Sequence, residues 1–569
     1  MTSLRRSTST TTTTAATAGV VLTATLLLPS LLLLAVCNRG VDAGSATVGG
    51  GGSGKTRGRD DDLIVATESG RVRGRRVLVA AVGKTVDTFL GIPFAKPPVG
   101  HLRFRHPLPI EPWSGVLNAT TPPNSCMQGR DDEFGDEFYG SNMWNPPTPV
   151  SEDCLYLNVY VPRPTAGGSQ QQQQQQKTRH RKSAVMVWIY GGGFYSGTTT
   201  LSLYDGKILA AENNLIVVSI GYRLGALGFL SLNDASAPGN AGLFDQLLGL
   251  EWVQHNIRYF GGDADNVTLF GESAGSVSVS LHLLSPLSRG KFQRAVLQSG
   301  TANMPWATLT QEEAKRRSTE LAVEYLHCPR TDDAGELAEC IRRPQITALN
   351  ISEVQWVSRG VLQFPFLPVV DGVFLTEPPM VTLRRQTFKK CPILIGSNRN
   401  EGSFFVIYEL MHLIQLDKKT MTRAQYLDGV ERLFLYYPQY PKQLNDRALD
   451  AIKQQYTNWL DPEDADKNVH SLDMALADSQ FVCPLNHFAN SYARAGQEVY
   501  MYFFTQRYNS NPWPSWMGVL HGDEIFFVFG EIFKYRHNFT EDERQLSRKM
   551  MAYWSNFAKS GYGDTHIIE

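Results

Sequence analysis

The sequence predicts an α/β protein, one large domain around a mixed, mostly parallel sheet flanked by helices. Three observations carry this. Short, nearly continuous apolar runs, "LYLNVYVP", "AVMVWIY", "LIVVSIGY", "NVTLF", "RAVLQS", "PILIG" and "VYMYFF", have the length and unbroken hydrophobicity of strands covered on both faces. Helical patterns lie between several of them, as in "NAGLFDQLLGLEWVQHNI" (240–257), with an asparagine as its predicted cap, and "RKMMAYWSNFAKSG" near the C-terminal end. With 569 residues, 42% of them hydrophobic, the chain can bury a core of that size.

At the N-terminal end, Arg5 and Arg6 precede a threonine-rich patch, the apolar run "AGVVLTATLLLPSLLLLAV" and the small-residue site Val41-Asp42-Ala43. That order predicts a cleaved secretory signal over 1–43 and an extracellular protein. Pro29 within the run and the glycines after it argue against a retained membrane helix, and no later segment is apolar enough to span a bilayer. Residues 44–61 are glycine-rich and predict a disordered leader; the folded domain is expected over 62–569. Within it, "GGSQQQQQQQKTRHRK" (167–182) falls between two predicted strands and reads as an exposed loop insertion.

Lys and Arg total 54 against 55 Asp and Glu, so no global field favours nucleic acid or an anionic membrane. Outside the signal, six of the seven cysteines remain, and in an exported protein their spacings favour the disulfides Cys126–Cys154 and Cys328–Cys340. Cys391 and Cys483 have no evident partner. Four glycosylation sequons start at Asn118, Asn266, Asn350 and Asn538. No metal or other cofactor is expected: "DADNVTLFG" starts like a calcium loop but lacks the sixth-position glycine and the final glutamate.

Catalytic chemistry concentrates where the strand-like "NVTL" enters "FGESAGSVS". Small residues two before and two after Ser273 permit the strained turn of a nucleophile elbow, which lifts the hydroxyl above the sheet. Ala274 would then open a helix, with its N–H facing a developing oxyanion. Further donors are expected from the glycine turn in "VWIYGGGFYSG", at Gly192 and Gly193. A serine hydroxyl needs a base, and the base needs an acid to orient it. In elbow hydrolases these follow in the order Ser, Asp/Glu, His. Glu401 in "PILIGSNRNEGSFF" and His521 in "GVLHGDEIFFVFG" fit that order, although pattern alone does not single them out.

"EDCLYLNVYVP", "GGGFYSG", "GESAGS", "NRNEGSFF" and "VLHGDE", in this order, resemble the type-B carboxylesterase family and, within it, the cholinesterases, from about Asp62 to Lys559. The resemblance implies an α/β-hydrolase fold with a deep aromatic gorge. It implies the triad Ser273, Glu401 and His521, an oxyanion hole of Gly192, Gly193 and Ala274, and cleavage of choline esters through an acyl-serine. Organophosphates and carbamates would react with the same serine. Two alternatives stand beside this reading: a general carboxylesterase for uncharged esters, and a neuroligin-like adhesion protein.

A quaternary ammonium takes no hydrogen bond, so its site uses aromatic faces, each contributing about 0.5–2 kcal/mol. The resemblance places Trp144, Glu272, Phe404 and Tyr204 at the choline site, Trp144 within the loop that Cys126–Cys154 would close. It places Trp306, Leu362, Phe364 and Phe405 around the acyl group. Leu362 stands where the vertebrate acetyl-specific pattern has phenylalanine, as in invertebrate members of the family, and should leave room for a larger acyl group such as propionyl. Asp131, Tyr195, Tyr408 and Trp356 would line the gorge and its rim, with Gly129 where a rim aromatic is often found. Family members continue beyond "GYGDTHIIE". The missing tail is expected to carry membrane attachment, any homodimer contact and the partner of Cys483.

Overall fold

The structure is a computed structural model that describes residues 63–163, 182–356, 361–411, 420–439, 442–535 and 538–562. The predicted signal, the glycine-rich leader and the insertion up to residue 181 lie outside the described residues.

Among the described residues, nine strands form the central sheet: β1 (Arg75–Val79), β2 (Lys84–Pro93), β3 (Tyr156–Pro162), β4 (Ser183–Ile189), β5 (Ile216–Ile220), β6 (Gly262–Glu272), β7 (Arg294–Gln298), β8 (Ile393–Asn398) and β9 (Val499–Phe504). Their spatial order is β9-β8-β7-β6-β4-β5-β3-β2-β1. From β9 to β5 every pairing is parallel. From β5 to β1 every pairing is antiparallel. Every apolar run singled out in the sequence is a strand of this sheet. Two of its strands are fully covered: all five residues of β5 and all six of β8 are buried, which is why those runs show no polar alternation. β1 and β2, an arginine-bearing hairpin at one edge, lack that signature.

Five helices position the site: α1 (Ala241–Asn256), α2 (Ala274–Leu284), α3 (Ser403–Glu409), α4 (Ala465–Ala477) and α5 (Glu541–Ser560). α2 leaves β6 at once and packs back on β6 and β7, while α5 lies against β6 and β4. α5 begins in a capping box made by Thr540 and Glu543 and stops at Gly561, whose φ is 85°. The expected cap of α1 is different. Asn240 stands at the cap position with a φ of 54° and makes no capping hydrogen bond. Its amide instead donates to Val369 O and Asp371 and accepts from Val369 N, tying the helix start to a distant loop.

Disulfides join Cys126 to Cys154 and Cys328 to Cys340. Cys391 is a buried free thiol and Cys483 an exposed one. Among the described residues, no helix is long and apolar enough to cross a membrane.

Candidate active site

Ser273 lies between the last residue of β6 and the first of α2, with φ 56° and ψ −125°. A non-glycine residue adopts such a backbone only when its surroundings impose it. They do so by contact: a Cβ on Gly271 would lie 2.6 Å from the Gly275 carbonyl carbon, and one on Gly275 would lie 2.1 Å from Ile189 O in β4. The two glycines therefore permit a turn tight enough to set the serine at the sheet's C-terminal edge. Ser273 N donates to Gln298 O of β7 (2.9 Å), and the residue is 8% exposed.

The glycine turn after β4 comes to the same place. A Cβ on Gly191 would meet Glu272 O at 2.5 Å and Ser273 Cβ at 3.1 Å. Among the described residues, no acceptor takes the N–H of Gly192, Gly193 or Ala274. These are the donors an oxyanion would use.

Glu401 follows β8 in a turn and is wholly buried. Its Oε1 accepts from Asn398 N and Ser299 Oγ, both at 2.6 Å, and its Oε2 is 2.6 Å from His521 Nδ1. That bond fixes the ring and leaves Nε2 as the working nitrogen. Nε2 approaches Glu272 Oε1 at 3.1 Å without hydrogen-bond alignment, and both atoms are buried with no hydrogen-bond partner. Burial pushes the Glu272 carboxyl up, to about 8, against the opposite pull of His521. For His521, burial lowers the pKa, but Glu272 and Glu401 outweigh it and raise the imidazole to about 9. These shifts belong to the coupled pair.

Trp144 is half-buried in the loop closed by Cys126–Cys154. A Cβ on Gly522 would lie 3.4 Å from Trp144 Cη2 and 3.7 Å from Glu272 Oε1, so indole, carboxylate and histidine turn meet at one point. Phe404 and Tyr408 stand on α3, their ring centroids 4.9 Å apart. The Tyr408 hydroxyl donates to Asp131 Oδ2 at 2.5 Å, which distinguishes Asp131 from the exposed Asp132 and Glu133 beside it. Tyr195 packs edge-on against Trp356 (4.8 Å) and near Phe364 (5.5 Å). Trp356 is 51% exposed at this rim. Tyr204 is 2% exposed and packs against Trp188 and Phe529.

The carboxylesterase family matches residues 61–566. The chain belongs to this family. Its fold is the α/β-hydrolase fold. It is 44% identical over 510 residues to acetylcholinesterase of Bungarus fasciatus, covering 89% of this chain and 79% of that protein. Acetylcholinesterase 1 of Caenorhabditis briggsae is 43% identical over 514 residues (88% and 79%). Acetylcholinesterase of Electrophorus electricus is 42% identical over 541 residues (89% and 81%).

In this carboxylesterase the rings expected around the acyl group are joined by one more, Phe481. Trp306 and Phe364 meet edge-on at 5.7 Å. Phe481 stacks on Phe405 at 5.4 Å, lies 5.7 Å from Trp306 and reaches within 4.8 Å of the His521 ring. Phe405 is 5.2 Å from that ring. Leu362 is 5% exposed with φ 54°. Phe481 lies far from every quoted motif, and only packing reveals it. Trp513, against Phe404, Phe138 and Phe134, escaped notice for the same reason. So did Asn145, whose amide accepts from Asp131 N and donates to Asp131 O, fastening that acid beside Trp144.

Of the sequon asparagines, Asn118, Asn350 and Asn538 are exposed. Asn266 is half-buried and its amide is engaged by Arg294 and Lys559 O.

Proposed function

We propose that this carboxylesterase is an extracellular serine hydrolase that cleaves choline esters, acetylcholine to choline and acetate, through an acyl-serine. The carrying observation is the convergence at Gly522 of the Trp144 indole, Glu272 and the turn that holds His521. A cation can rest on an aromatic face there, beside carboxylate charge, with its ester beside Ser273.

His521 Nε2 takes the Ser273 proton as Oγ attacks the carbonyl carbon. Glu401 stabilises the imidazolium that forms. Gly192, Gly193 and Ala274 N–H groups hold the oxyanion, and the imidazolium returns its proton to the departing choline oxygen. Water, deprotonated by His521, then releases acetate from the serine. Organophosphates and carbamates enter the same cycle and leave a slowly hydrolysed serine adduct.

Steady-state hydrolysis of acetyl-, propionyl- and butyrylthiocholine beside uncharged naphthyl acetate tests this reading, with Ser273→Ala as control. A kcat/KM preference for acetyl- and propionylthiocholine, abolished in the control, supports it. Turnover of naphthyl acetate alone makes the protein a general carboxylesterase. No turnover by folded, secreted protein returns the adhesion reading.

A further inference from the structure

Two loops must keep register for the reaction: the turn after β8 that carries Glu401, and the turn that carries His521. Both converge on Asn400. Its backbone N donates to Val519 O (2.9 Å), its side-chain Oδ1 accepts from Val519 N (2.9 Å), and its Nδ2 donates to Asp473 Oδ2 (2.7 Å). Asp473, on α4, accepts with its other oxygen from Gly402 N (3.0 Å). One carboxylate therefore grips both sides of Glu401, and through Asn400 it reaches the chain two residues before His521. Asp473 is 3% exposed. Among the described residues, the exposed His470 ring also lies beside it, Nδ1 at 3.6 Å from Oδ2.

Donor and acceptor directions in this chain are not interchangeable. Val519 N–H requires an oxygen, which sets the Asn400 amide and turns its NH2 toward residue 473. Residue 473 must then accept from both Asn400 and Gly402, which a carboxylate does and a carboxamide does not. The approach is also close. A Cβ on Gly518, whose φ is 75°, would lie 2.1 Å from Asn400 Oδ1.

We infer that Asp473 is a positioning residue for catalysis, holding the acid turn and the histidine turn in the register that the Glu401–His521 bond needs. This rests on the triad reading above. Misplacement of a base by a fraction of an ångström affects the transition state more than the bound substrate, so the loss falls on kcat.

The test is acetylthiocholine hydrolysis by Asp473→Asn, per mole of active sites titrated with an organophosphate, beside wild type and Ser273→Ala. We expect kcat to fall about tenfold or more with KM within about twofold. The double variant Asn400→Asp with Asp473→Asn reverses both directions: the carboxylate at 400 accepts from Val519 and from the new amide, whose oxygen accepts from Gly402. It should recover kcat to within about threefold of wild type. A wild-type kcat in Asp473→Asn overturns the inference, and so does a double variant as slow as the single one. Should Asp473→Asn not be secreted, Gly518→Ala, which pushes Asn400 off the histidine turn, must show the same kcat loss; an unchanged kcat overturns the inference. Turnover surviving in Ser273→Ala would instead strike at the triad reading itself.

Discussion

His521 is held between two carboxylates, with Nδ1 2.6 Å from Glu401 and Nε2 3.1 Å from Glu272. The first contact has hydrogen-bond geometry and the second does not. In the proposed cycle Glu401 orients the base, whereas Glu272 acts on it through charge.

A pH profile separates these roles. The base works only when neutral, so kcat/KM falls as pH drops through the His521 pKa. Glu272 raises that pKa, so Glu272→Gln lowers it and moves the acid limb to lower pH, by about one unit. An uncharged ester is the substrate to use, because it leaves cation binding out of the comparison. An acid limb that stays in place or moves up contradicts the assignment.

Trp144→Ala removes the indole beside Glu272. KM for acetylthiocholine should rise about tenfold, the equivalent of one desolvated cation–π contact, while naphthyl acetate changes by about twofold or less. Equal losses on both substrates would make Trp144 part of the loop's packing only.

Phe481→Val tests the acyl wall. Removing a ring that lies against Phe405, Trp306 and His521 should raise the butyryl-to-acetyl ratio of kcat/KM about tenfold. An unchanged ratio would leave chain-length selection to Leu362 and Phe364.

What could be read before folding divides along sequence distance. β4, β5, β7 and β8 were legible because both faces are covered and their residues are unbroken apolar runs; β9 reads the same way in sequence but is an edge strand, with Met501 and Phe503 exposed. The elbow was legible because two close approaches demand glycine at fixed offsets from Ser273. Glu401 and His521 were chosen by resemblance, since their pairing spans 120 residues and carries no local signature. Phe481, Trp513 and Asn145 went unread because each earns its place by a partner far along the chain or by an amide orientation.

The most direct test of the central claim is mass spectrometry of peptides from protein inhibited by a paraoxon-type organophosphate, with residual acetylthiocholine activity read on the same samples. The account predicts a single phosphoryl adduct on Ser273, rising in step with loss of activity and absent from Ser273→Ala. Full activity with Ser273 modified, or inhibition with the adduct on another residue, would contradict it.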